Sequence, residues 1–140
     1  MPEITWKRAE IQTRLYDKIG QSLTGVGPCP RVVSFAAGYG HIDETTNPPT
    51  LESLPLSASE VPGFITSGTP EASMSDGRAL FVCAIPEDAV SAPQKCNIIG
   101  LYDQDDELVA LASFLPEWLA PGKRYENFVY ITFPAPEEES

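Results

Sequence analysis

Between Ile98 and Phe114 two apolar runs flank a short acidic stretch, and this pattern constrains the fold more than any other part of the chain. Ile98, Ile99, Leu101 and Tyr102 make the first run and Leu108 to Phe114 the second, while Asp103-Gln104-Asp105-Asp106-Glu107 between them has nothing to bury. That is the pattern of a β-hairpin. Three further segments read as strands. Val32 to Ala37 is apolar on both alternating sides apart from Ser34, which predicts a strand buried on both faces or set at a subunit contact. Ala79 to Ile85 is an unbroken apolar run stopped by Pro86, and Tyr125 to Phe133 alternates so that Tyr125, Val129, Ile131 and Phe133 share one face.

Ahead of these strands, Ile11, Leu15, Ile19 and Leu23 recur at every fourth position and Tyr16 widens the stripe. This spacing predicts an amphipathic helix, with Thr5 as its N-cap and Gly20, Gly25, Gly27 and Pro28 ending it. Lys7, Arg14 and Lys18 fall on a different face, and Glu10 precedes Arg14 by four residues, the favourable order for a helical ion pair. The fold class that follows is α+β: one N-terminal helix packed on a mainly antiparallel sheet of about five strands. A single domain is expected over 1–134, with a long loop at 41–77 and a disordered acidic tail at 135–140. The 41–77 segment is rich in Pro, Ser, Thr and Glu, yet Leu51, Leu54, Leu56, Val61, Phe64 and Ile65 are too apolar for a free linker. It should therefore lie against a surface, its own or a neighbour's.

The net charge of −11 is uneven. Residues 1–31 carry five basic and three acidic side chains, a balance of +2, which leaves −13 for the remainder. Such a surface repels phosphate backbones and disfavours nucleic-acid binding. It leaves a solvated acidic surface, or imitation of nucleic acid by a small acidic inhibitor.

Catalytic chemistry is poorly provided for. His41 is the only histidine; with Asp43 and Glu44 beside it, it reads as a surface residue of a Pro-rich loop, not as a metal ligand. No serine lies in a nucleophile-elbow sequence, and Cys29, Cys83 and Cys96 read as reduced thiols. Asp103, Asp105 and Glu107 alternate as in the opening of a calcium loop, but Leu108 replaces the required glycine and Phe114 the final glutamate. No enzyme activity, metal or cofactor is expected. Trp118, with Leu119, falls in a predicted loop bounded by Pro116, Pro121 and Gly122. It reads equally as a partner anchor and as core packing. No apolar run is long enough to span a bilayer.

The wording Ile99-Gly100-Leu101-Tyr102-Asp103 followed by Glu107-Leu108-Val109-Ala110 resembles the N-terminal attachment domain of phage tail-fibre proteins, the phage tail-collar fibre family. The resemblance extends upstream in order, with Ile11 to Leu23 as helix, Val32 to Gly40 as a strand ending in glycines, and His41 to Gly77 as a long polar segment. Where the family has Asp-Gly at the hairpin turn, this chain has Asp105-Asp106, so a longer turn or one of another type is expected. The resemblance implies a structural virion protein, an adaptor assembled in the host cytoplasm that joins a receptor-binding fibre chain to the baseplate or distal tail. Because the chain stops soon after its last strand, it is expected to lack a shaft of its own. The resemblance also implies a homotrimer. The assembly interface is expected to include Lys7, Arg14, Leu15, Lys18, Ile19, Trp118 and Leu119, with the basic residues meeting an acidic patch on a sister subunit or on the tail. Reversing Lys7, Arg14 and Lys18 to glutamate is expected to leave the fold intact.

Overall fold

A strand of the Ile98–Phe114 hairpin that is apolar on both sides must be covered on both sides, and the computed structural model, which describes residues 6–132, shows what covers it. The chain forms β1 (Trp6–Arg8), β2 (Glu10–Ile11), α1 (Thr13–Leu23), β3 (Val32–Gly38), β4 (Ile42–Asp43), β5 (Thr50–Leu51), β6 (Thr66–Gly68), β7 (Glu71–Ser75), β8 (Arg78–Ile85), β9 (Gln94–Asp103), β10 (Leu108–Leu119) and β11 (Tyr125–Thr132). A four-stranded sheet runs in the order β1-β11-β8-β7 and a five-stranded sheet in the order β2-β10-β9-β3-β6, with β4 and β5 as a separate two-stranded ribbon. Inward residues of the two larger sheets share one core. Phe81, Cys83, Ile85, Val129 and Ile131 come from the first sheet, and Phe35, Ala37, Ile99, Leu101, Ala110 and Ala112 from the second. The architecture is a β-sandwich. Only Ala9, buried, separates β1 from β2, and only Thr69 and Pro70 separate β6 from β7, so the chain passes between the sheets at both edges.

The other side of the five-stranded sheet is covered by the chain itself. Leu54, Ala58 and Val61 pack over Ala36, Ile98, Leu108 and Leu111 as a second, smaller core. This 52–65 strap is held by backbone and side-chain bonds: Ile65 N–H donates to Ala37 O at 2.8 Å, and Val61 N–H to the Tyr102 hydroxyl at 3.1 Å. Gln12 is fully buried and serves the strap twice, its amide donating to Pro55 O at 2.9 Å and accepting from Ala58 N–H at 2.8 Å. Val61 seats where the sheet has no side chain. A Cβ on Gly100 would stand 2.3 Å from Val61 Cγ2, and one on Gly38 2.4 Å from Val61 Cγ1. The expectation that the 41–77 segment lies on a surface resolves to the chain's own sheet.

The expected fold class needs correction: the protein is mainly β, with a single helix of 11 residues among the described residues, and not a helix packed on one five-stranded sheet. The missed strands β1, β2, β4, β5, β6 and β7 have two to five residues each, too short for an alternating apolar pattern to register. The helix also begins later than its spacing predicts. Ile11 pairs with Ala110 as a strand residue, and the N-cap is Gln12, whose side chain serves the strap and not the helix end. Leu15 is buried in the inter-sheet core, Ile19 packs against it, and Leu23 is exposed. Glu10 lies on β2, outside the helix, so the predicted Glu10–Arg14 helical pair has no basis. Thr5, Phe133 and the 135–140 tail lie outside the described residues.

The seat of Val61 gives a direct test. Gly100→Ala forces a methyl into Val61 and Leu108, and should lower stability by about 1–3 kcal/mol in urea unfolding. Val61→Ala in the same chain should recover part of that loss, giving a non-additive double-mutant cycle.

Candidate assembly interface

In the acidic run 103–107, Gln104, Asp105 and Asp106 form the three-residue loop of the hairpin, closed by Asp103 N–H donating to Glu107 O and Asp106 N–H to Asp103 O, both at 3.0 Å. Asp106 takes the left-handed conformation, φ 59°, that a glycine would adopt more freely. The Asp103 carboxylate compensates by accepting from the N–H groups of Asp105 at 3.0 Å and Glu107 at 3.1 Å. Its side chain is fully buried, and it also accepts from Lys18 Nζ. Lys18 further reaches Asp105 and Glu107, each at 3.2 Å. Arg14 completes the cluster, with Nε 3.1 Å from Glu107 and Nη1 donating to Leu108 O at 2.7 Å and Ala58 O at 3.0 Å.

Burial opposes the charge on Asp103, but the Lys18 ammonium and the backbone N–H groups of Glu107 and Asp105 outweigh it and hold the carboxyl below its ordinary value. Burial likewise opposes the charge on Lys18, and its bonds to Asp103, Asp105 and Glu107 hold it above its ordinary value. Stability drawn from a depressed carboxyl is present above the unfolded value, about 3.9, and is lost as pH falls through the lower folded value.

The expected basic helical face is therefore distributed over other tasks. Arg14 and Lys18 are bound to this chain's own hairpin turn, and Lys7 is on β1, paired with Val129. Lys7 Nζ lies 3.7 Å from the Phe114 ring centroid and 2.9 Å from both Glu117 and Asn127. Leu15 and Ile19 face the core on α1. Trp118 and Leu119 are not in a loop: β10 runs through a bulge between Ser113 and Glu117, where Pro116 needs no ladder partner, and continues to Leu119. Leu119 is buried, whereas Trp118 is 59% exposed with Lys95 Nζ 5.3 Å from its ring. These residues sit at the opposite end of the hairpin from Asp103, so the structure does not gather the seven into one patch.

An open surface lies elsewhere. Trp6, Leu80, Val82, Phe128 and Tyr130 project from the side of the four-stranded sheet that faces away from the core, and none packs into either apolar cluster. The register fixes this, because Phe81, Cys83, Val129 and Ile131 occupy the inward positions. The signal was available in the sequence as apolar residues on both alternations of Ala79–Ile85 and Tyr125–Thr132.

Other chemistry is sparse. Among the described residues no three His, Cys, Asp or Glu side chains gather as metal ligands. The acids beside His41 are engaged elsewhere, Asp43 with Thr45 at 2.9 Å from its backbone N–H, and Glu44 with Lys95 at 2.7 Å and with Tyr39. Cys29 is exposed and unpaired, while burial pushes Cys83 up to about 12 and Cys96 up to about 11. The densest acidic run is bound to Lys18 and Arg14, so it offers no free row of carboxylates for imitating nucleic acid. No described helix is long and apolar enough to cross a membrane. No family model, curated protein or solved structure matches this chain.

Lys18→Met removes the cation from a buried carboxylate and should cost about 3 kcal/mol in denaturant unfolding at neutral pH. The difference from the unmodified protein should shrink as pH falls from about 4 through the lower folded value of Asp103, below which the carboxyl is protonated in both. Reversing Lys7, Arg14 and Lys18 together to glutamate should abolish folding or nearly so, contrary to the sequence expectation, and circular dichroism reads this directly. Calcium should leave the melting temperature unchanged, since the turn carboxylates already hold cationic side chains.

Proposed function

We propose that this chain is a non-catalytic structural adaptor of a phage-type tail, joining a receptor-binding fibre to the baseplate or distal tail through packing of apolar surface. The observation that carries this reading is the division of labour between the two sheets. The hairpin whose residues resemble the tail-collar fibre family is buried on both faces as scaffold, while the four-stranded sheet turns an aromatic face outward, away from both cores, where assembly with a further chain can cover it. A protein whose task is assembly needs such a face and no reaction centre. The acidic loops suit the same role, since their net charge limits unspecific association before assembly.

Mass spectrometry of purified tailed particles should find this chain as a regular component, and antibody labelling should place it at the tail. Disrupting its gene should yield particles without fibres. Its absence from such particles would sink the adaptor reading.

A further inference from the structure

Two apolar rows cross the open face of the four-stranded sheet: Tyr130 beside Leu80, and Phe128 beside Val82, with the Trp6 ring edge-on to Phe128 at 5.2 Å between centroids. Charge is divided between the two ends of this patch. Arg8 lies in the Tyr130 row and Arg78 one row beyond it, whereas Glu71 lies in the Phe128 row and Glu126 one row beyond that. All four charged residues are exposed.

We infer that this face packs against the same face of a second copy, about a two-fold axis that lies between the sheets and runs across the strands. That operation lays each Tyr130 row over the other copy's Phe128 row and brings each Arg78 end onto a Glu126 end. It also sets Arg8 against the other copy's Trp6, a cation over an indole. The alternative axis, along the strands, would bring Arg78 towards Arg78 and Glu126 towards Glu126, so electrostatics select the first. Arg124, 3.5 Å from Glu126, is no obstacle, because both side chains are about half exposed and such a pair contributes little. A surface that is its own complement in shape and charge is what a two-fold contact requires. The pairing differs from the threefold arrangement that the family resemblance implies. It goes beyond the adaptor reading and is tested without it, on the isolated protein.

Sedimentation equilibrium of the full chain at concentrations on the order of tens of micromolar should give a dimer mass. Arg78→Glu and Glu126→Arg should each raise the dissociation constant about tenfold, since every reversal alters two symmetry-related contacts. The double variant R78E/E126R should return it to within about threefold of the unmodified value. Far-UV circular dichroism and urea unfolding check that all three variants keep the fold, as expected for exposed positions. A monomer mass throughout, a trimer indifferent to these changes, or a double variant weaker than both singles would each overturn the inference.

Discussion

Ile98, Leu108 and Leu111 point away from the inter-sheet core, and without the 52–65 strap they would face water. At roughly 1.5–3 kcal/mol for each large aliphatic side chain buried, that cover is comparable with the whole stability of an ordinary domain. Much else in the molecule follows from keeping it in place. Gly38 and Gly100 lack side chains where Val61 enters, Tyr102 turns its hydroxyl to Val61 N–H, and Gln12 forgoes capping the helix to hold Pro55 and Ala58. Asn97, also buried, bonds both the N–H and the O of Gly40 and so fixes the chain where it leaves β3 to begin the excursion.

The ionic cluster at the hairpin turn secures the opposite side of the same arrangement. A carboxylate with no exposure is tolerable only if its oxygens are filled, and Asp103 fills them with two backbone N–H groups and one ammonium. The same bonds let Asp106 occupy a glycine conformation, because the turn is organised from Asp103 and not from Asp106 itself. Arg14 then joins helix, turn and strap through Glu107, Leu108 and Ala58. Helix placement thus comes from ion pairs at two positions as well as from the apolar contacts of Leu15 and Ile19.

The hairpin, the three other long strands and the apolar character of the 41–77 segment were legible in the sequence because each is a run long enough to show a period or its absence. The division of the strands between two sheets was not legible. The sheet edges where the chain crosses over are short strands such as Glu10–Ile11 and Thr66–Gly68, where pairing comes from the chain's path and not from local pattern. Lys18 was recognised as charged and off the apolar stripe, but its partner lies 85 residues away, beyond any spacing rule. Gln12 carried no signal at all, being a single polar residue between a two-residue strand and the helix. Trp118 was misplaced because Pro116 normally stops a strand, and a bulge absorbed it here. The open aromatic face was visible as alternation, but reading it needed to know that no second layer of described residues covers it.

The sandwich joins its earliest strands to its latest. β1 pairs in parallel with β11, β2 pairs with β10, and Lys18 waits for Asp103. On a ribosome, residues 6–23 therefore emerge long before β10 and β11 exist to receive them, and the sandwich closes only when those strands have left the exit tunnel. Loop closure over such spans is slow, so the half-made protein shows unpaired strand edges throughout its synthesis. Beyond residue 31 the chain is strongly negative, and like charge of this kind makes neighbouring unfinished copies repel one another.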